Sequence, residues 1–293
     1  MRVIGHRSQR TLAAPAEMPG VGFITGTRVR VRFLPAPTNS GIVFRRIDLP
    51  GSPAVPALVS QVTNTNRRTT IGPPNTGVTL TEHLMAALAG LRIDNCTVEL
   101  DGIEPPGLDG SAGGFAELLK SAGVVLQSAQ RPIWSVDRPV VATAGGATIA
   151  LHPGEGTSLR ASYILDYGLG SSIPKQIYTL EVTPENFAAE VACCRTFATE
   201  AEARGLKAMG IAPHLSESDV VVFGPRGPIG NRLRFADEPA RHKVLDLLGD
   251  LAMCGFDLAG HVVAYRSGHS LNAELARQLV SQAESSQVQR RVA

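Results

Sequence analysis

Hydrophobic and polar residues alternate along Arg28-Val29-Arg30-Val31-Arg32-Phe33-Leu34, a period of two that predicts a half-buried strand. Gly41-Ile42-Val43-Phe44-Arg45-Arg46-Ile47 predicts a second strand after a Pro/Asn/Ser turn. The pattern then becomes helical. Thr79-Leu80-Thr81-Glu82 has the spacing of a capping box, His83 to Ala89 is an apolar helix, and Gly90 reads as its stop. A strand is expected over Cys96 to Leu100. Beyond Pro105 and Pro106, the Asp109-Gly110-Ser111 turn introduces a helix over about 112–121 that ends near Gly123. The segment from Val124 to Arg131 reads as a linker.

The second half predicts strands near 134–142, 147–152, 159–165 and 177–182, and a helix from Pro184 to about Cys193. Pro239 opens a long helix through Cys254 that Gly255 terminates. A strand over His261 to Tyr265 leads to the loop Ser267-Gly268-His269-Ser270 and a helix from about Leu271 to Ala283. The remaining tail is polar and open to disorder.

Both halves thus run helix, strand, glycine turn, helix. A shift of 163 positions lays Ile93-Asp94 on Phe256-Asp257 and His83 on Asp246, and a slightly smaller one lays Gly110-Ser111 on Gly268-His269. The expected fold is α+β: two similar β-α-α-β sandwich domains from an internal duplication, residues 1–127 and 128–293, with helices packed between the two sheets. In that arrangement the two central helices face each other and present His83 and Asp246 to one cleft.

Composition narrows the function. The chain has 293 residues, 43% hydrophobic and 18% charged, with a formal charge of +2 and 5% aromatic residues. Neither a net field nor a basic, aromatic stripe points to nucleic acid. No window approaches the length of apolar chain that spans a bilayer, and the N-terminal stretch lacks the apolar run of a secretion signal, so a cytoplasmic location is expected. Cys96, Cys193, Cys194 and Cys254 have neither disulfide-framework nor zinc-knuckle spacing and read as small core residues.

His242 and Asp246 stand four apart on the long predicted helix, so both face one side, and Asp250 continues that face. The spacing suits an ion pair or a solvated face as well as a metal. His83, brought by the equivalent helix, completes a His, His, Asp set with a fourth position open, the composition of a catalytic zinc site. Glu82 could accept a proton from an activated water as a general base, or could cap the helix against Thr79. His269 could act as general acid or as a cation beside a developing oxyanion, with Asp250 orienting its ring. Lys243 could bind an anionic substrate, and Thr196 could donate to an oxyanion.

These segments resemble one family. Thr81-Glu82-His83-Leu84-Met85-Ala86-Ala87-Leu88-Ala89-Gly90, Ile93-Asp94-Asn95, Asp109-Gly110-Ser111-Ala112, Arg195-Thr196-Phe197, Arg241-His242-Lys243-Val244-Leu245-Asp246 with Gly249-Asp250, and Ser267-Gly268-His269 are similar to the UDP-3-O-acyl-N-acetylglucosamine deacetylases. Gly20-Val21-Gly22 and Arg45-Arg46 with Asp48 fit too. The resemblance implies a zinc amidase that removes acetate from a UDP-linked, 3-O-acylated amino sugar, the committed step of lipid A synthesis. It implies zinc (Zn2+) on His83, His242 and Asp246, Glu82 as base, and His269 as cationic acid supported by Asp250. Thr196 would hold the oxyanion, and Lys243 and Phe197 would contact the substrate.

Two departures bear on the substrate. Where the family has a histidine after Gly-Val-Gly-Leu, this chain has Ile24 after Phe23. The insert after Arg195-Thr196-Phe197, near 197–220, reads as shorter and more charged than the family's acyl-chain passage, which predicts a shorter or different acyl preference. The alternatives are a deacetylase of another N-acylated sugar nucleotide, or a silent relative that binds a sugar nucleotide or a protein. Keeping Glu82, His83, His242, Asp246 and His269 together argues against silence, because a binding module needs no metal site and base.

Overall fold

A computed structural model describes residues 1–217 and 219–292, with side chains described to residue 286 and at no later position. Strand β1 (Arg2–Leu12) leads to a five-stranded sheet built from β2 (Ala16–Val21), β3 (Arg28–Pro35), β4 (Ile42–Arg46), β5 (Ala54–Pro56) and, later in the chain, β9 (Cys96–Leu100). A small three-stranded sheet follows: β6 (Val62–Asn64), β7 (Thr70–Ile71) and β8 (Val78–Thr79). Helix α1 (Glu82–Gly90) precedes β9 and α2 (Gly113–Ala122) comes after it. The alternation in β3 is realised as read: Val29, Val31 and Phe33 are buried, while Arg28, Arg30 and Arg32 face solvent.

The second half starts in β10 (Val124–Ser135) and builds a sheet from β11 (Val140–Ala144), β12 (Ala147–His152), β13 (Leu159–Leu165), β14 (Gln176–Glu181) and β19 (Gly260–Tyr265). Between β14 and β19 come α3 (Pro184–Asn186) with a π-helical turn over Phe187–Val191, β15 (Phe197–Thr199), α4 (Glu200–Ala208), β16 (Val221–Gly224), β17 (Gly227–Pro228), α5 (Glu238–Ala252) and β18 (Asp257–Leu258). The chain ends in α6 (His269–Val292).

The two large sheets have the same plan. Their orders are β2-β3-β9-β4-β5 and β11-β12-β19-β13-β14. In each, the last strand is inserted between two hairpins, antiparallel to one neighbour and parallel to the other. Helix α2 packs on β2, α6 on β11 and β12, and α5 on β13 and β14, while α1 packs against α5 in the middle. The fold is α+β with its helices between sheets, and one continuous apolar cluster joins both halves.

Several local expectations change. The linker expected over 124–131 is the greater part of β10, which pairs antiparallel with β1, so that Arg7 faces Arg131. Its strand partner lies more than a hundred residues away, and local sequence carries no sign of it. The capping box does not form: α1 starts after Thr81 without a side-chain cap, and the Thr79 hydroxyl bonds that of Thr70 at 2.7 Å. Gly90 is not a stop but part of α1. A Cβ there would lie 2.3 Å from the Phe187 ring, so the glycine lets the π-helical turn close on the helix. Gly255, by contrast, has φ +78 beyond the end of α5, as a terminating glycine should. His269 is the first residue of α6 rather than a loop residue, and the polar tail continues that helix to Val292, residue 293 lying outside the described ones.

Behind the helices, two arginines and two aspartates tie the halves together through ion pairs. Arg7 donates to both Asp94 oxygens at 2.7 Å and to Asp257 at 2.5 and 3.0 Å, and Arg131 donates to Asp257 at 2.6 Å. Asp94 and Asp257, equivalent in the sequence shift, therefore meet in one clasp. A cavity of about 630 Å³ near this clasp is lined by none of the candidate site residues.

Candidate active site

The site lies where the first turn of α1 meets the middle of α5. Gly249 is essential to that crossing, because a Cβ on it would come within 2.1 Å of the Glu82 carbonyl oxygen. Helix α1 supplies Glu82 and His83, α5 supplies His242, Asp246 and Asp250, and α6 supplies His269; all six are buried. One ligand atom from each of His83, His242 and Asp246 lies within 4.8 Å of the others. Nε2 of His83 is 3.5 Å and Nε2 of His242 is 3.4 Å from Asp246 Oδ1.

The chemistry of this set fits a divalent cation. Asp246 Oδ1 is the one buried side-chain polar atom without a hydrogen-bond partner among the described residues, and it faces the two imidazole nitrogens. An unpaired carboxylate oxygen buried there costs free energy unless a cation completes it. His242 Nδ1 lies 3.0 Å from the Cys194 carbonyl, an acceptor, so Nδ1 carries the proton and Nε2 presents its lone pair. Burial lowers the His242 pKa to about 4, outweighing Asp246, and keeps the ring neutral as a ligand must be.

Glu82 and His269 flank this set. The Glu82 carboxylate accepts from the Thr69 amide at 3.0 Å through Oε2, and its Oε1 is 3.9 Å from His269 Nε2. Burial pushes the Glu82 carboxyl up, against the opposing pull of His269 and His83. His269 Nδ1 donates to Asp250 Oδ2 at 2.9 Å, which leaves Nε2 pointing toward Glu82 and toward Asp246 Oδ2, 4.0 Å away. Burial alone would discharge this histidine; Asp250, Glu82 and Asp246 overcome it and raise its pKa to about 9. Asp250 is itself held by the Thr69 hydroxyl at 2.6 Å and by Asn272 at 2.9 Å.

Lys243 donates to Asp246 Oδ2 at 2.7 Å. Phe197 stands edge-on to the His242 ring, centroids 6.1 Å apart, and also meets Tyr167 and Phe223. Thr196, half-buried beside it, is fixed through its backbone, its amide donating to Gly110 and its carbonyl accepting from Val221. Arg195 anchors this strand to the start of α5 through a buried pairing with both Glu238 oxygens at 2.8 and 3.0 Å. The turn carrying Ile24 is held by the buried Glu104 carboxylate, which accepts from the Ile24 and Thr25 amides.

Sequence reasoning missed Thr69, Asn272 and the Arg195–Glu238 pair. Asn272 had a local signal, since it lies three residues after His269 on one helix face. Thr69 had none: it reaches Glu82 and Asp250 from the loop before β7, and only the fold brings it there.

The family model described as LpxC, UDP-3-O-acyl N-acetylglycosamine deacetylase, matches residues 9–281. The chain belongs to this family. The match to the LpxC family spans every candidate site residue. Curated relatives named UDP-3-O-acyl-N-acetylglucosamine deacetylase include that of Trichormus variabilis, 39% identical over 278 residues, 93% of this chain and 98% of the relative. That of Myxococcus xanthus is 40% identical over 275 residues, 94% of this chain and 87% of the relative. The bifunctional enzyme LpxC/FabZ of Chlorobaculum tepidum is 36% identical over 312 residues, 96% of this chain and 66% of that longer protein. No described helix is long and apolar enough to cross a membrane.

Proposed function

We propose that this chain is a zinc-dependent deacetylase that hydrolyses the N-acetyl group of UDP-3-O-acyl-N-acetylglucosamine, releases acetate and works in the cytoplasm on the lipid A pathway. The observation that carries the reading is the meeting of three ligand atoms, from two helices that are equivalent in the sequence shift, between a buried carboxylate and a buried imidazolium. The common strand order of the two large sheets supports the internal duplication, with a first domain over 1–127 and a second over 128–293. His83, His242 and Asp246 would hold the ion. Zinc bound there would polarise the amide carbonyl and make a water molecule more acidic.

The chain's own groups would handle the protons and the charge. Glu82, its carboxyl raised by burial, is suited to take a proton from the attacking water. The Thr69 amide fixes one Glu82 oxygen and leaves the other facing the cleft. His269, cationic at neutral pH and fixed at Nδ1 by Asp250, offers the proton on Nε2 to the oxyanion or to the departing amine. The Thr196 hydroxyl would donate to the same oxyanion. Lys243 has two further N–H donors beyond its bond to Asp246 and would use them on the substrate, with Phe197 packing beside it.

The test is acetate release from the UDP-linked, 3-O-acylated substrate, with mass spectrometry of the sugar product. A free 2-amino sugar and one acetate per turnover are expected. Release from a different N-acylated sugar nucleotide alone would favour the other substrate, and binding without release would favour a silent relative.

A further inference from the structure

The adjacent cysteines lie directly behind the candidate metal site, and the proposed hydrolysis makes no use of their thiols. Cys194 is fully buried; its carbonyl accepts the Nδ1–H of His242 at 3.0 Å, and its Sγ reaches the Glu190 carbonyl at 3.4 Å. Cys193 is half-buried, adjoins Cys194 in the chain, and has its carbonyl bonded by Arg234 at 2.6 Å. The next residue, Arg195, begins the buried pairing to Glu238. The other two cysteines lie in the core, where burial pushes both thiols up to about 12. Cys193 behaves oppositely. The neighbouring Cys194 thiol and the Arg234 guanidinium bring it down to about 6 against the effect of burial.

We propose that Cys193 and Cys194 are a peroxide-oxidisable dithiol, and that its closure to a disulfide displaces the carbonyl that orients His242 and weakens the hold of the site on its divalent ion. The coupling rests on His242 being a ligand; the oxidation itself does not. The Cys193 thiolate attacks one oxygen of hydrogen peroxide, the O–O bond breaks, and a sulfenic acid and hydroxide form. The Cys194 sulfur then attacks the Cys193 sulfur, the S–S bond forms and the S–O bond breaks, and the thiol proton leaves with hydroxide as water. Overall the two sulfurs give up two electrons, and peroxide becomes two waters.

Closure cannot leave the backbone in place. Neighbouring Cα atoms are about 3.8 Å apart, less than the roughly 4.4–6.8 Å of a relaxed disulfide. That separation is fixed across a trans peptide, so the ring closes under strain; the strain falls on the bond angles and torsions of the 193–194 link, φ of Cys194 among them, and a change there carries the Cys194 carbonyl with it. A strained ring is also easily reduced, so the change should be reversible. Loss of the outer hydrogen bond to a ligating histidine typically costs 10- to 100-fold in metal affinity.

The experiment treats the full chain and Cys193→Ser with hydrogen peroxide, maps peptides by mass, and measures zinc affinity against a competing chelator before and after. The wild type should lose about 2 Da in the peptide carrying residues 193 and 194 and bind zinc at least ~10-fold more weakly, with both effects reversed by a dithiol reductant. Cys193→Ser should show neither. A sulfinic acid in place of the disulfide, or a disulfide-bearing protein that binds zinc as tightly as the reduced form, would overturn the proposal. Failure of the reduced protein to bind zinc would instead remove the metal site and with it the coupling, while the mass map still reports the oxidation.

Discussion

Gly249 of α5 lies against the backbone of Glu82 in α1, so close that a Cβ would approach the Glu82 carbonyl oxygen to 2.1 Å. This contact sets how near the two central helices come, and so whether His83 can meet His242 and Asp246. Gly249→Ala forces the helices apart. Overpacking of this kind costs about 1–3 kcal/mol, and a splayed ligand set should bind zinc more weakly. Thermal denaturation and zinc titration of the variant should show a lower Tm and a lower affinity together. A variant with native affinity would detach the crossing from the site.

Glu82 separates binding from chemistry. It is not one of the three clustered ligand atoms, and its Oε1 faces His269. Glu82→Gln keeps the shape and loses the base, so turnover should fall by about 10²–10⁴-fold while one zinc per chain remains. Turnover close to wild type in a zinc-replete variant would remove Glu82 from the role.

Much of this site was legible from spacing. His242, Asp246 and Asp250 share a face because they are four apart, and α5 realises that face from Glu238 to Ala252. The alternation of β3 was equally direct. What local patterns could not carry was pairing across distance: β1 with β10, the Phe187 ring on Gly90, and Thr69 on Asp250. The clearest case is Glu82. Its position three residues after Thr79 imitates a capping box, yet its carboxylate is turned toward Thr69 and the cleft. Local helix chemistry and the site compete for the same side chain there, and the tertiary contacts win.

The clasp behind the helices should show in acid. Burial works to raise the Asp257 carboxyl, but Arg131 and Arg7 outweigh it and hold it below its ordinary value. A carboxylate depressed in the folded state contributes stability above its unfolded pKa, about 3.9, and loses it as pH falls toward the folded value. Asp257→Asn should therefore lower Tm at neutral pH and flatten the fall of Tm below about pH 4. A parallel offset at every pH would contradict this.

Acyl length should be read by the segment after Phe197. Helix α4 has no buried residue, and Met209 beyond it is 67% exposed, so this segment encloses little apolar surface of its own. Each buried methylene is worth about 0.8 kcal/mol, and a passage that buries few of them gains little from a long chain. Among substrates with graded 3-O-acyl chains, kcat/KM should peak at a short or intermediate length. Equal turnover of short and long chains would refute the expectation.

An ion held by His83, His242 and Asp246 should make this chain a deacetylase. The most direct test titrates zinc into chelator-stripped protein and follows acetate release from UDP-3-O-acyl-N-acetylglucosamine. Negligible release without metal is expected, then a linear rise that breaks at one equivalent, and no rise in His242→Ala. Full activity in the stripped protein, or zinc bound at one equivalent with no acetate released, would contradict it.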